Sequence, residues 1–267
     1  FETRQAGGAA KAIDAVRLRD LLSGREFRVR AKIVVNAAGP WAANVQDLLG
    51  ADVVRAVLPR HFSKGFQLVL PQFIAQHAVA LESRYREKAA LISRGSRSYF
   101  CHPWRGRTLI GTSDEYFSAH PDNYRITKDE ILTFLKDLRE AYRDDVFVSG
   151  NVRFVFGGLR PVAVPAARNG AGTAKETEVL TRDLIIDHQS LTGPGKHGLL
   201  NFVSAVGVKY TTFRALAEKT GDIVARKLGG CTVPCRTASS PLYGGDIGDY
   251  ESYLREVLNG YPFLTTD

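Results

Sequence analysis

The sequence predicts an α/β chain with an α+β middle, and three observations predict it. Apolar runs at 31–36 and 199–205 each lead into a glycine turn and then a helix, the order that an α/β unit requires. Between them, shorter runs divided by turn residues read as antiparallel strands. The chain has 267 residues, 44% of them hydrophobic, which excludes a disordered or low-complexity class and allows a full core.

The elements follow in order. Runs at 15–19 and 27–31 alternate with period two around Ser23-Gly24 and predict a half-buried hairpin. Residues 31–36 predict a strand covered on both faces, running into Ala37-Ala38-Gly39-Pro40-Trp41, with Pro40 in the first turn of a short helix ending near Leu49-Gly50. Runs at 66–70, 99–102 and 108–111 predict a separate antiparallel sheet, the last two joined at Arg105-Gly106. Thr127 and Glu130 have capping-box spacing, and Ile131, Leu135, Leu138 and Tyr142 then share one face of a helix, read as a cover for the sheet. The strand at 199–205, a loop at 207–210 and a helix at 212–228 follow; the helix carries Phe213, Leu216, Ile223 and Val224 and stops at Gly229-Gly230. Beyond Cys235 the chain is polar and Gly-rich, with no internal repeat.

Lys and Arg number 36 against 28 Asp and Glu, a net charge of +8 suited to anionic ligands, nucleic acid or an anionic membrane surface. Aromatic residues do not interleave with a basic stripe, which argues against nucleic acid. No run approaches the roughly 18 apolar residues of a membrane-spanning helix. Cys101, Cys231 and Cys235 form no disulfide framework and no metal-ligand set; they read as structural thiols in a reducing compartment. The chain contains no Met and starts at Phe1 in a strand-like run, so it is expected to be an internal piece of a longer protein.

Three clusters can carry chemistry. Asn36-Ala37-Ala38-Gly39-Pro40 brings small residues to a tight turn, where a flat ligand or another backbone can approach; plain strand-to-helix punctuation has equal weight. Phe156-Gly157-Gly158-Leu159-Arg160-Pro161, with Thr181-Arg182-Asp183 after it, offers guanidinium groups suited to phosphate or carboxylate. Gly207-Val208-Lys209-Tyr210-Thr211-Thr212 opens a helix, where free N–H groups and the dipole favour an anion and Lys209 adds a full charge. Each has its bland counterpart, a solvated arginine or an ordinary capped helix.

In this order and spacing the clusters resemble the FAD-dependent glycerol-3-phosphate dehydrogenases of the glycine-oxidase-like (DAO) flavoprotein superfamily. The resemblance is carried by Val34-Val35-Asn36-Ala37-Ala38-Gly39-Pro40-Trp41, Lys64-Gly65, Pro103-Trp104, Ile110-Gly111-Thr112-Ser113-Asp114, Gly158-Leu159-Arg160-Pro161, Thr181-Arg182-Asp183, Lys209-Tyr210-Thr211-Thr212-Phe213-Arg214 and Tyr261-Pro262-Phe263-Leu264-Thr265. The family's opening Gly-x-Gly-x-x-Gly is absent, in keeping with a fragment that would bind FAD poorly and be inactive alone. The resemblance implies an FAD-binding α/β domain with an inserted antiparallel β-sheet substrate domain. Its boundaries would be 1–50 for the trailing part of the FAD domain, 51–155 for the substrate domain, 156–230 for the return and 231–267 for the start of a C-terminal segment.

It further implies FAD contacts at Ala37, Ala38, Gly39, Gly158, Leu159, Gly207, Val208, Lys209, Tyr210 and Thr211, with substrate held by Arg160, Arg182, Lys209 and Gln67. Arg160 and Lys209 would act at the reacting centre. The implied reaction oxidises sn-glycerol 3-phosphate to dihydroxyacetone phosphate by hydride transfer to flavin N5, with electrons passed to a quinone. The implied protein is cytoplasmic, at or near the inner face of the cell membrane, and compatible with a homodimer.

Two departures from the pattern stand out. Gln67 replaces the family histidine beside the substrate hydroxyl; it can hydrogen-bond but cannot act as a general base, leaving Lys209, His61 and His102 as candidates. Val208 stands where the family has glycine, and a β-branched side chain restricts that backbone. Two other readings remain open: a sister flavoprotein oxidising an amino or hydroxy acid, with Arg160 on a carboxylate, and a non-catalytic anion-binding module.

Overall fold

Three strands begin the chain in the computed structural model, which describes residues 1–6, 10–83, 97–111, 113–142, 145–163, 178–179, 182–191, 193–230 and 233–263. Thr112, Thr181, Cys231, Leu264 and Thr265 of the motifs above fall outside these. The strands β1 (Glu2–Gln5), β2 (Lys11–Arg19) and β3 (Glu26–Val29) form an antiparallel sheet with β2 in the middle. The expected hairpin is therefore present, flanked by an extra strand. Ala12, Ile13 and Ala15 bury the first half of β2, whereas all of β3 is exposed.

The next strand, β4 (Val34–Asn36), is shorter than the run at 31–36 predicts. It also lacks cover on both faces, since Val35 is 42% exposed. The reason is pairing: β4 is an edge strand, and its ladder begins where Val34 meets Phe202. A 3-10 turn over Gly39–Trp41 takes Pro40 in its first turn and leads into α1 (Ala42–Asp47).

The antiparallel sheet of the middle has seven strands. It comprises β5 (His61–Pro71), β6 (Val79–Ser83), β7 (Arg97–Trp104), β8 (Arg107–Gly111), β9 (Glu115–Phe117), then, after α2 (Lys128–Ala141), β10 (Phe154–Ala163) and β11 (Glu178–Val179). Its order is β11-β10-β5-β8-β7-β6, with β9 following β8 along the same edge of β5. Ser113 bridges that break, its Oγ accepting from Phe66 N at 2.9 Å and its own N–H donating to Phe66 O at 3.2 Å.

Alternation puts Phe66, Leu68 and Leu70 of β5 on one face, where Phe134, Leu135 and Leu138 of α2 cover them with Tyr99, Cys101 and Ile110. Full burial stabilises each such large side chain by roughly 1.5–3 kcal/mol, which fixes the helix to the sheet. The same burial pushes the Cys101 thiol up to about 12, so it stays a protonated, inert core residue. Close packing also explains Gly157. A Cβ there would lie 2.2 Å from Gly65 O and 2.3 Å from the Tyr124 hydroxyl.

The third sheet is mixed. β12 (Leu184–Asp187) runs antiparallel to β13 (Phe202–Val206), and β13 runs parallel to β4. All five residues of β13 are buried. After a 3-10 turn over Tyr210–Thr212 comes α3 (Phe213–Lys227), followed by Gly229 and Gly230 at φ 110° and 90°. Its apolar stripe is shallow: Leu216, Ile223 and Val224 are half-buried and Phe213 is exposed.

Phe1–Gly230 forms one compact unit and Cys231–Asp267 a second. The second contains α4 (Tyr250–Gly260), which the polar, Gly-rich composition does not predict. The local signal is nonetheless present, because Asp249 accepts from Ser252 N at 2.7 Å and Leu254, Val257 and Leu258 share a half-buried stripe. Among the described residues, no helix is long and apolar enough to cross a membrane.

Candidate active site

Parallel pairing sets the first part of the site. Because β4 and β13 run side by side in one direction, their carboxyl ends lie together, and Ala37-Ala38-Gly39 and Gly207-Val208-Lys209 both leave from that end. In open sheets this is where dinucleotides and other ligands bind. Asn36 shapes the first turn. Buried at the end of β4, it donates from Nδ2 to Ala42 O at 2.8 Å and to Ser204 Oγ at 3.4 Å, while Oδ1 accepts from Ala38 N at 3.4 Å. Ala37 and Gly39 are left exposed beyond it.

The second loop is fixed by an acid rather than left open to an anion. Asp183 Oδ1 accepts from Val208 N at 2.9 Å and from Thr212 Oγ1 at 3.2 Å, so a carboxylate already sits at the turn that begins α3. The N–H of Val208 is thereby engaged, and its side chain is buried where the family pattern has glycine. Gly207, Lys209, Tyr210 and Thr211 are exposed. Arg182, Lys209 and Lys219 line a cavity of about 300 Å³ together with Asp183 and the apolar Ile185, Val208 and Leu216. Two of the expected residues, Arg182 and Lys209, thus meet at one concave site.

The other expected residues lie on the seven-stranded sheet, on the face turned away from α2. Register puts Phe156, Gln67, Gly111 and Phe100 in one row across β10, β5, β8 and β7. A Cβ on Gly111 would stand 2.4 Å from Gln67 Cγ, so the glycine makes room for the glutamine to lie across β8. The next row along β5 pairs Gly65 with Gly158, which is exposed and has open space above its Cα. The row after that pairs Ser63 with Arg160. A floor free of side chains therefore separates Gln67 and Phe156 from Arg160, and Leu159 points to the opposite face.

Arg160 is not a free cation. Its Nη2 donates to Ser63 Oγ at 2.9 Å and to Asp114 Oδ1 at 3.2 Å, and Ser63 in turn donates to the same Asp114 oxygen. The cations thus form two groups, with Arg182 and Lys209 at the cavity and Arg160 on the sheet. Of the candidate bases, His61 shares the face of Ser63 and holds the Tyr116 hydroxyl at 2.5 Å from Nδ1, whereas His102 is exposed beside Phe100. Lys64, next to the Gly65 floor, points the other way into an ion pair with Glu130 of α2.

Sequence reasoning found the cations and missed the residues that place them. Asp183, Asp114 and Ser63 had no assigned role. Asp183 lies 29 positions from Thr212, and Ser63 lies 51 from Asp114, so nothing local links either pair.

Small exposed turns at the shared end of two parallel strands, with a partly apolar, basic cavity beside one of them, suit a flat, anionic dinucleotide such as FAD. The comparisons agree. Residues 3–203 match the family model described as FAD dependent oxidoreductase. A glycerol-3-phosphate dehydrogenase of Synechocystis is 30% identical over 260 residues, covering 95% of this chain and 43% of that protein. The human mitochondrial glycerol-3-phosphate dehydrogenase is 27% identical over 247 residues, covering 92% of this chain and 30% of that protein. The chain thus spans less than half the length of either relative. In fold it is similar to the glycerol-3-phosphate dehydrogenase of Bacillus halodurans solved with FAD, at 24% identity and TM-score 0.63 over 97% of this chain and 44% of that one. With the family model matching most of its length, the chain belongs to the FAD-dependent oxidoreductases.

Proposed function

We propose that this chain forms the substrate-holding part, and the trailing part of the FAD-binding domain, of an enzyme that oxidises sn-glycerol 3-phosphate to dihydroxyacetone phosphate. The observation that carries the reading is the meeting of Arg182 and Lys209 at one cavity, beside the turn of the parallel pair. Two basic side chains at a cavity lined in part by apolar residues suit a phosphate ester with a short carbon skeleton. The names of the similar relatives support the same substrate.

When bound, FAD would accept the hydride removed from the substrate carbon. The chain's own residues supply the rest. Ala37, Ala38, Gly39, Gly158 and the turn from Gly207 to Thr211 would line the cofactor, with Leu159 contributing through its backbone alone, its side chain lying on the opposite face. Arg182, at the cavity, and Arg160, on the sheet, would be the anion-holding side chains, and Gln67 would orient the hydroxyl by hydrogen bonding without taking its proton. Lys209 is the base in this reading, since it shares the cavity with Arg182. In the whole protein, electrons would continue to a quinone, from a cytoplasmic enzyme peripheral to the inner face of the membrane.

The test is anaerobic. The whole enzyme that contains this chain, loaded with FAD, should lose its flavin absorbance on addition of glycerol 3-phosphate, and Lys209→Ala should slow that loss by about a hundredfold or more, as removal of a general base does. Bleaching by an amino or hydroxy acid, and not by glycerol 3-phosphate, would replace the substrate assignment with the sister-oxidase reading.

A further inference from the structure

We propose that Asp114, acting through Ser63, is a positioning residue for Arg160 that sets how tightly the site holds an anion. The inference rests on the reading of Arg160 as an anion-holding residue and extends it to two residues that have no role in that reading.

Arg160 Nη2 donates to both Ser63 Oγ and Asp114 Oδ1, which fixes that corner of the guanidinium. Ser63 Oγ closes the triangle by donating to the same carboxylate oxygen. Ser63 is fully buried on β5, between β10, where it faces Arg160, and β9, where it faces Tyr116. Its hydroxyl is thus a fixed point of the sheet rather than a mobile surface group. Asp114 is set back, its side chain 15% exposed against 41% for Arg160. The guanidinium is thus the more accessible of the two groups to an arriving anion.

A free arginine side chain carries about 2 kcal/mol of rotamer entropy, most of which an anion must overcome to order it. Holding Nη2 in advance removes much of that cost, as preorganisation does generally. The cost is a partial neutralisation of the cation by the Asp114 carboxylate.

Calorimetric titration of the full chain with inorganic phosphate tests this. Asp114→Ala should weaken phosphate about tenfold or more, while Asp114→Asn, whose Oδ1 still accepts from Ser63 and Arg160, should stay within about threefold of the parent. Ser63→Ala should fall between them, and it decides the matter if Asp114→Ala does not fold. In the whole enzyme loaded with FAD, Asp114→Ala should raise KM for glycerol 3-phosphate while kcat stays within about threefold. Unchanged phosphate binding in Asp114→Ala, unchanged binding in Ser63→Ala, or equal weakening in Asp114→Asn and Asp114→Ala overturns the proposal. Arg160→Ala separates the two claims: if it binds phosphate as the parent does, or if the parent binds none, the anion assignment falls and the proposal with it. If Arg160→Ala loses binding and Asp114→Ala does not, only the positioning role falls.

Discussion

His188 connects a buried titration to the turn that would face the cofactor. It is fully buried in the 3-10 turn after β12, with Nε2 2.9 Å from Ser204 Oγ and Nδ1 without a hydrogen-bond partner among the described residues. Ser204 also receives a hydrogen bond from Asn36, so a protonated His188 would disturb the residue that shapes the Ala37–Gly39 turn. Burial holds its pKa down to about 4, against an upward pull from Asp187. The unfolded chain takes up that proton near pH 6.5 and the folded chain refuses it until about pH 4. Stability from this group is therefore complete above pH 6.5 and is lost progressively down to about pH 4, by on the order of 3 kcal/mol. Urea denaturation at pH 7 and pH 5 should show a drop in the parent and a much smaller one in His188→Gln. Equal drops would mean that other groups govern the acid limb.

At the level of elements, α2 is more than a cover. Its capping box forms as the sequence predicts, with Thr127 and Glu130 exchanging hydrogen bonds. Glu130 also ion-pairs with Lys64, whose side chain is only 10% exposed. Burial opposes the charge on Glu130, and hydrogen bonds from Lys64 and Thr127 outweigh it, so its carboxyl titrates below the ordinary value. Loss of the cap alone, in Thr127→Ala, should cost about 1 kcal/mol. Glu130→Ala keeps the Thr127 cap on its backbone N–H but loses the reciprocal bond from Thr127 N and leaves Lys64 as a buried unpaired cation, and should cost about 3 kcal/mol or more. Guanidinium denaturation of the two variants measures the difference; equal costs would show that the ion pair contributes nothing. The helix was legible because its cap and stripe are local. The second role of Glu130 was not, because Lys64 lies 66 positions away on a strand.

Across the whole Phe1–Gly230 unit the same division recurs. Arg160, Arg182 and Lys209 were visible as chemistry-bearing residues because a cation in a glycine-rich motif stands out in the sequence. Asp114, Ser63 and Asp183 acquire their roles only when strands distant in the chain pair, and no local pattern encodes that pairing. Asn201 is the extreme case. Buried just before β13, it accepts from Ile13 N at 2.8 Å and donates to Ile13 O at 2.9 Å, joining residues 188 positions apart. Nearby, Leu200 N donates to Lys11 O at 2.9 Å and Lys11 forms an ion pair with Asp52. The amide side chain thus joins the backbone bonds of Lys11 to Gly198 and Leu200 in fastening the first sheet to the third, and its failure would loosen β2 while leaving β5 and α2 intact. Asn201→Leu keeps similar volume and strands a buried N–H and C=O on Ile13, which should cost about 2–5 kcal/mol. Native-state hydrogen exchange should show the Ile13 amide exchanging far faster in the variant while the amides of β5 keep their protection. If Ile13 stays protected, or β5 loosens with it, the two sheets are held together by their packed residues Ile13, Leu199 and Phe202 and not by the amide.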